Sequence, residues 1–215
     1  MSHRTLSDMY DRLYARFGPQ HWWPGQTPDE VAAGCVLAQN TRWERVVPVI
    51  ERLRDRNLLS PARLASMREE DLAELLRGSG THRRKARYLL GLTRFLTDLG
   101  WNGSSDSLAR LDTASLRNDL LALGGIGPET ADCILLYVLE RPVVVVDAYT
   151  RRILSRHGLC DTHAGYEDLR RLFESELEPD PLLFNEYHAL MVACAKTYCR
   201  PKPACEGCPL AGLPA

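Results

Sequence analysis

The spacing of apolar residues predicts a chain built almost entirely of α-helices. Leu6, Met9 and Leu13 recur at helical spacing, and Gly18-Pro19 ends that pattern. A second apolar run begins at Pro28. The same periodicity predicts nine further helical segments, at 42–56, 61–66, 69–77, 82–98, 113–123, 128–140, 147–157, 165–177 and 182–198. The connections between them are short and contain Gly, Pro, Ser or Asn, so the predicted fold class is all-α.

Two short stretches refine this prediction. The sequence "TPDE" at 27–30 is typical of a capping box, with Thr27 as N-cap, Pro28 in the first helical position and Glu30 in the third. The four valines at 143–146 have the β-branched composition of a buried strand, yet no second strand is available to pair with them. We therefore predict a buried extended link between two helices.

Composition adds little, but the distribution of charge is suggestive. The 215 residues are 45% hydrophobic, enough for one large core or two smaller ones, and the net charge is −1. Basic residues nevertheless concentrate at 83–87, 151–156 and 196–202, whereas acidic ones concentrate at 69–74 and 174–180. This separation predicts a face for a polyanion, although solvated helix faces produce similar runs of charge.

No membrane association is predicted from the chain. It contains no run of eighteen apolar residues, and its first residues are charged throughout, without the apolar core of a signal peptide. We therefore expect a cytoplasmic protein, and separately we expect a monomer.

The stretch "LGGIGPETADCIL" at 123–135 is the first candidate for chemistry. Glycines before a helix leave backbone N–H groups unshielded, and a phosphate can approach them with help from the helix dipole. A dinucleotide-binding turn would follow a strand, but 113–122 is predicted to be helical, so the pattern indicates helix, hairpin, helix. The alternative is a plain turn. The candidate phosphate contacts are Gly124, Gly125, Ile126, Gly127 and Thr130.

These residues resemble those of a known family. "LGGIGPETAD", with Asp147 in "VVVVDAYTRRIL" eighteen residues after Glu129, and "LAQNTRW" at 37–43 are similar to motifs of the helix-hairpin-helix (HhH-GPD) DNA glycosylases of the endonuclease III superfamily. The resemblance covers about residues 5–210. It implies two lobes: a six-helix barrel at 26–140 that ends in the hairpin, and a helical domain formed by 1–25 plus 141–215 that holds a metal cluster.

The resemblance assigns the reaction to Asp147 and makes Glu129 informative. Breaking an N-glycosidic bond creates a cation-like sugar, which a nearby carboxylate stabilises while it orients or deprotonates the attacking water. Aspartate is also a good N-cap, so capping is the alternative role. Glu129 stands where bifunctional members have a lysine that forms a Schiff base, and a carboxylate cannot form an imine. Glu129 either assists catalysis or caps the helix, and a monofunctional enzyme is expected.

A base pocket is predicted from aromatic residues. An extruded base needs aromatic faces on which to stack, and a cationic alkylated purine gains a cation–π contribution from indoles. "WWP" followed by an aromatic after "QNT" is similar to the 3-methyladenine glycosylase branch of the family. The predicted pocket residues are Trp22, Trp23, Gln39, Asn40 and Trp43, with Gln39 entering the gap left by the base or touching its edge. Packing in the core is the alternative for the tryptophans.

The tail contains a candidate metal site. Cys199, Cys205 and Cys208 resemble the family's iron–sulfur segment, but the first gap is one residue short and Pro214 stands where the fourth cysteine is expected. Cys194 is the candidate substitute. A structural [4Fe–4S] cluster on these four thiolates is predicted, with zinc or an empty site as the alternatives. The intervening loop places Arg200 and Lys202 for phosphate contacts.

The predicted protein is thus a base-excision-repair DNA glycosylase whose partner is double-stranded DNA containing a damaged base, an alkylated purine by preference. Two alternatives remain open: an endonuclease III-like oxidised-pyrimidine glycosylase with AP-lyase activity, and a degenerate protein that binds damaged DNA without excision. His188 is predicted to be a satisfied helix histidine near the cluster.

Overall fold

The computed structural model describes residues 4–213, and Pro214 of the predicted cluster motif lies outside them. The described chain is all-helical and contains no strand, which confirms the predicted fold class. The helices are α1 Arg4–Phe17, α2 Pro28–Leu37, α3 Trp43–Asp55, α4 Pro61–Ala65, α5 Glu69–Leu75, α6 His82–Asp98, α7 Thr113–Ala122, α8 Pro128–Tyr137, α9 Ala148–Arg156, α10 Tyr166–Glu176 and α11 Pro181–Thr197, with a 3₁₀ turn at Ser105–Leu108. None of these described helices has the length and apolarity that crossing a bilayer requires.

The chain divides into two compact units. The central unit runs from Trp23 to Arg141 and contains α2 to α8. The terminal unit combines the chain up to Trp22 with the chain from Pro142 onward, and contains α1 and α9 to α11. Each unit has its own set of buried apolar side chains, as expected for a chain of this length.

The core of the central unit is arranged around α2. This helix packs against α3, α6 and α8, and every residue from Glu30 to Leu37 is buried. Small residues allow this crowding. A Cβ on Gly34 would lie 3.2 Å from the indole nitrogen of Trp23 and 3.5 Å from the Trp43 ring, so glycine permits both indoles to approach the helix.

The core of the terminal unit is arranged around α11, which packs against α1 and α9. The hydroxyl of Tyr187 donates to the carbonyl of Leu6 at 2.8 Å and ties α11 to α1. Residues 143–146 are buried, as predicted, and belong to neither a helix nor a strand. Their amides are partly satisfied by side chains, because Val144 donates to Glu174 and Val146 to the Tyr166 hydroxyl.

The start of α2 corrects one detail of the sequence prediction. The Thr27 side chain accepts from the amide of Glu30 at 3.2 Å, so Thr27 is the N-cap. The prediction of a full capping box is wrong in its second bond, the one from the Glu30 side chain back to the N-cap. Both carboxylate oxygens of Glu30 instead accept from Arg54, at 2.7 and 3.3 Å. A buried carboxylate gains more from a charged partner than from one backbone amide.

Candidate functional site

The turn between α7 and α8 is a tight hairpin whose shape depends on Gly125. This residue has φ +85°, and a Cβ there would lie 2.3 Å from the ring of Tyr88, so both backbone and packing exclude a side chain. The next amide, of Ile126, donates to the Leu123 carbonyl at 3.2 Å, and the Ile126 side chain is buried. The hairpin is therefore anchored in the core of the central unit.

The outer side of the same hairpin is open. A Cβ on Gly124 or Gly127 would meet no atom within 4 Å, and Gly127 is the N-cap of α8. Within the described residues, the amides of Gly125 and Gly127 donate to no protein acceptor. Unshielded donors at a helix N-terminus form an anion site of the kind that binds phosphate. The Thr130 side chain is buried, so only its backbone faces this side.

Two contacts hold the hairpin in place. Arg117 on α7 makes two hydrogen bonds to the fully buried carboxylate of Asp132 on α8, at 2.7 and 3.0 Å. The Gln39 side-chain amide donates to the Gly125 carbonyl and to the Thr130 hydroxyl, both at 3.0 Å. Both amide protons of Gln39 are thus engaged, and entry into a gap in DNA would require breaking both bonds.

Lys85 lies in the basic run at 83–87, which the sequence predicts to contribute to a face for a polyanion. Its side chain is buried, and only Arg83, Arg84 and Arg87 of that run are exposed. The ammonium donates to the carbonyls of Leu37 and Ser79, at 2.7 and 2.5 Å, and to the Thr41 hydroxyl at 2.9 Å. Burial lowers the pKa of Lys85 from 10.5 to about 8.

This arrangement places Lys85 behind the turn that contains two predicted pocket residues. Leu37 ends α2, so the ammonium lies at the negative end of that helix dipole. Gln39 and Asn40 follow directly, and Asn40 is exposed with φ +49°. Lys85 therefore fixes the backbone on both sides of the turn from Gln39 to Thr41. A helical periodicity that puts position 85 on the core face of α6 was the available signal.

Three aromatic residues of the central unit form one cluster. The rings of Trp23 and Trp43 meet edge to face at 5.4 Å, and Tyr137 lies 5.3 Å from Trp23. Because the two indoles touch, a base can stack on the cluster but cannot lie between them without displacing one. Tyr137 was not predicted, since nothing in the sequence relates it to either tryptophan. Trp22 belongs to the terminal unit.

Glu129 is exposed in the first turn of α8. An acidic side chain in the first turn interacts favourably with the helix dipole, which satisfies the capping interpretation without excluding a second role. Its position on the open side of the hairpin is one where a side chain can meet a ligand.

Asp147 is the N-cap of α9 in the terminal unit. Its Oδ1 accepts from the amide of Thr150 at 2.7 Å, and its Oδ2 lies 3.5 Å from Nε2 of His188 on α11. The side chain is 12% exposed. Burial by itself raises the pKa of Asp147, but the pairing with His188 and the bond from Thr150 outweigh it, so the pKa is lowered. The carboxylate is therefore ionised at neutral pH although it is largely buried.

The four predicted cluster cysteines are not equivalent. Cys194 and Cys199 are buried, Cys208 is half-buried and Cys205 is exposed. Burial raises the pKa of Cys194 to about 12, and the thiols of Cys208 and Cys199 contribute to this shift. Within residues 4–213 no group of three or more potential ligands is placed to coordinate a metal.

The loop after Cys199 is fixed by two arginines of α9. Arg152 donates to the Cys199 carbonyl at 2.6 Å. Arg156 donates to the sulfur of Cys199 at 3.2 Å and to the carbonyls of the next two residues. Arg200 and Lys202 are exposed on this loop. Their charges are thus available to an anion, whereas those of the α9 arginines are used inside the protein.

The hairpin, the capping aspartate and the helical architecture define a class of DNA repair protein, and comparison with known proteins agrees. The model of the HhH-GPD superfamily of base excision DNA repair proteins matches residues 33–179, and the chain belongs to this family of DNA glycosylases. It is 40% identical over 202 residues to a putative DNA repair glycosylase of Methanocaldococcus jannaschii, covering 94% of this chain and 92% of that protein.

Two solved structures are similar to this one. An endonuclease III–DNA complex superposes with a TM-score of 0.81 at 22% identity, over 99% of this chain and 95% of the other. The 3-methyladenine DNA glycosylase of H. pylori, bound to 1,N6-ethenoadenine, superposes with a TM-score of 0.69 at 26% identity, over 90% and 95%. Both support the helix-hairpin-helix glycosylase fold.

Proposed function

We propose that the protein is a monofunctional DNA glycosylase that hydrolyses the N-glycosidic bond of an extruded alkylated purine in double-stranded DNA. The observation that carries this proposal is the ionised, nearly buried carboxylate of Asp147 at the start of α9. A carboxylate whose charge survives burial is suited to stabilise a positive sugar, because an electrostatic interaction is stronger where water is excluded.

The proposed reaction uses Asp147 twice. As the N-glycosidic bond breaks, its electron pair leaves with the base and the sugar becomes cation-like, which the carboxylate stabilises. Water then adds to the sugar carbon, and Asp147 accepts the proton that this water loses. No covalent bond to the protein forms in this sequence.

Glu129 is the reason for proposing a monofunctional enzyme. Strand cutting through a Schiff base needs an amine that attacks the sugar carbon, and the first turn of α8 presents a carboxylate instead. In the proposed enzyme Glu129 interacts with the helix dipole and faces the substrate side of the hairpin.

The preference for alkylated purines is supported by the aromatic cluster and by one neighbour. Trp23, Trp43 and Tyr137 offer electron-rich faces to a cationic purine. The similar H. pylori protein is a 3-methyladenine glycosylase whose structure holds a modified adenine. Gln39 and Asn40 complete the proposed pocket of the central unit.

The hairpin is proposed to bind DNA phosphate through the amides of Gly124, Gly125, Gly127 and Thr130, whereas the predicted contact at Ile126 is excluded because its amide donates to the Leu123 carbonyl. Arg200 and Lys202 are proposed to add phosphate contacts. Alanine substitutions test the hairpin. Gly127→Ala adds a methyl group to open space, so the fold is retained and DNA affinity falls about tenfold because the phosphate cannot approach. Gly125→Ala instead lowers stability. Unchanged affinity in Gly127→Ala would contradict phosphate binding at this turn.

A [4Fe–4S] cluster on Cys194, Cys199, Cys205 and Cys208 is proposed for the terminal unit. Endonuclease III homologues commonly contain such a cluster. The interactions of the Cys194 thiol with those of Cys208 and Cys199 support it, whereas Cys205 is exposed. Purified protein is expected to be brown, with about four irons per chain. Colourless protein that contains zinc would show that the site binds zinc instead of a cluster. Metal retained in Cys194→Ser would exclude Cys194 as a ligand.

The function is tested with a panel of duplexes that contain methylated purines, ethenoadenine or oxidised pyrimidines, each assayed with and without alkaline cleavage. We expect release of alkylated purines, strand breaks only after alkali, and loss of release in Asp147→Asn. Asp180→Asn is the matched control, because Asp180 caps α11 through the Leu182 amide and is exposed.

Two outcomes would overturn the proposal. A covalent adduct trapped by borohydride on abasic DNA, with release of oxidised pyrimidines, would identify a bifunctional enzyme of the endonuclease III type. Binding of damaged duplexes without release of any base would identify a degenerate binding protein in which Asp147 only caps α9.

A further inference from the structure

Asp147 differs from the other aspartate N-caps in the surroundings of its second oxygen. Asp112 and Asp180 also cap helices through one oxygen each, and both residues are exposed to solvent. Capping needs only one oxygen, which for Asp147 is the one bonded to the Thr150 amide. The other oxygen faces His188, on a helix that is distant in the sequence. The second contact is therefore not explained by capping.

The side chain of His188 is 8% exposed, so the pair is enclosed by protein. Because α9 and α11 pack directly against each other, the imidazole is held at a fixed place relative to the start of α9. A carboxylate anchored by one oxygen can still rotate about its terminal torsion, whereas contact with a second group removes that freedom.

We infer that His188 is a positioning residue for Asp147, and this inference rests on the proposed function. The Nε2 atom of His188 lies 3.5 Å from Oδ2, an ion-pair contact rather than a short hydrogen bond, and this contact limits the planes available to the carboxylate that faces the reacting sugar. His188 itself touches no substrate. It contributes by holding the negative charge oriented before the sugar becomes cation-like, so that no reorientation is needed during the reaction.

The cavity beside His188 has an almost entirely apolar lining. His188 and Thr150 border this cavity of about 10 Å³, which is otherwise lined by Val144, Val145, Phe173, Phe184, Tyr187 and Met191. Among these other lining residues, Tyr187 is titratable, and its hydroxyl donates to the Leu6 carbonyl. Burial raises the pKa of Tyr187, so this group is neutral over the range in which Asp147 titrates. From α1, the ring of Tyr10 meets that of Tyr187 edge to face.

Three variants separate positioning from packing. His188→Gln keeps an N–H donor near the place of Nε2, and the small cavity beside the ring gives the amide room to adjust. His188→Leu removes the donor and keeps an apolar side chain of moderate size. Phe184→Leu is the packing control, because Phe184 lines the same cavity from the same helix.

We expect His188→Leu to lower the single-turnover rate of base release about 10- to 100-fold while the Kd for DNA changes less than threefold. His188→Gln should restore the rate to within about fivefold of the wild type, and Phe184→Leu should lower stability without this loss. Equal losses in His188→Leu and Phe184→Leu, or no recovery in His188→Gln, would overturn the inference.

A second measurement does not depend on activity. The Asp147 carboxyl is titrated by carbon-13 NMR, using Asp147→Asn to assign its signal. In His188→Leu the pKa of Asp147 should rise relative to the wild type, because the loss of His188 leaves burial less opposed. An unchanged titration would overturn the inference. A shifted titration in a protein that releases no base would support the contact and reject the proposed function.

Discussion

Lys85 and Asp147 are both ionisable side chains removed from solvent, one in each unit. The surroundings of Lys85 disfavour its charged form, whereas those of Asp147 favour its charged form. The ammonium of Lys85 is surrounded by two carbonyls and a hydroxyl, and burial lowers its pKa to about 8. The pKa of Asp147 is also lowered, but for an acid this direction favours the charged form.

The difference teaches how burial alone and burial with charge-stabilising partners can be distinguished. The three ammonium protons of Lys85 have three hydrogen-bond acceptors, yet none of those acceptors is a carboxylate. Its surroundings are suited to joining backbone segments. Asp147 faces an amide and an imidazole that can be positively charged, so its surroundings are suited to preserving a negative charge. The former arrangement predicts a structural role and the latter a chemical one.

The largest effect is expected from removing the lysine. Lys85→Met removes the donor to the buried Leu37 carbonyl and to the Thr41 hydroxyl, and leaves the Ser79 carbonyl with only its bond from Thr41, so the free energy of unfolding should fall by about 2–4 kcal/mol. Urea denaturation measures this loss. Arg84→Met, an exposed change on the same helix, should stay within about 0.5 kcal/mol. A loss of unfolding free energy below about 1 kcal/mol in Lys85→Met would contradict the structural role assigned to Lys85.

A smaller loss of stability is expected at the aspartate. Asp147→Ala removes the N-cap of α9 and should lower the free energy of unfolding by about 1 kcal/mol, whereas Asp147→Asn retains a capping oxygen and should lose less. Thermal unfolding of both variants provides the measurement. If Asp147→Asn were as destabilised as Lys85→Met, the charge at position 147 would be needed chiefly for folding.

The pH dependence of stability in the alkaline range tests the lowered pKa of Lys85. Because the folded-state pKa of Lys85 lies below its unfolded value, the folded protein releases this proton first, between about pH 8 and 10.5. The unfolded state then binds more protons, so the Lys85 contribution to stability rises with pH by at most about 1.4 kcal/mol per unit. The stability advantage of wild type over Lys85→Met should widen across this range, and an advantage that narrows would contradict the buried ammonium.

The acidic range gives the smallest effect. The lowered pKa of Asp147 means that its contribution is fully present above the unfolded value of 3.8 and is lost as the pH falls through the folded-state pKa. The difference in unfolding free energy between wild type and Asp147→Asn should therefore shrink toward zero in acid. Measurements from pH 6 downward test this, and a difference independent of pH would mean that the carboxylate gains nothing from Thr150 and His188.

Much of the local structure could be predicted from the sequence because it depends on near neighbours. Helical periodicity located the eleven helices of the described residues, and Thr27 was correctly identified as an N-cap. The valines at 143–146 were correctly predicted to be buried outside any helix, and no partner strand exists in the described chain. The 3₁₀ turn at Ser105–Leu108 was missed, because four residues give too little periodicity.

The errors concern side chains whose partners are remote in the sequence. Glu30 pairs with Arg54 on the next helix, Lys85 reaches the end of α2, and His188 contacts Asp147. No local pattern contains such pairs, because a carboxylate or an ammonium takes the best partner that the fold brings near it. Gln39 donates to the hairpin in this structure, and its predicted role on DNA stays a prediction.

By itself, the sequence determined the helices, the hairpin and the residue types available for chemistry, because helical spacing, glycine conformation and the absence of a lysine at Glu129 are properties of short segments. The tertiary structure alone decided which charges are buried and how each is paired. Electrostatic energies depend on distance and on exclusion of water, and neither is set until helices that are distant in the sequence pack together. For this reason the state of Asp147 and the place of Lys85 became visible only in the folded chain.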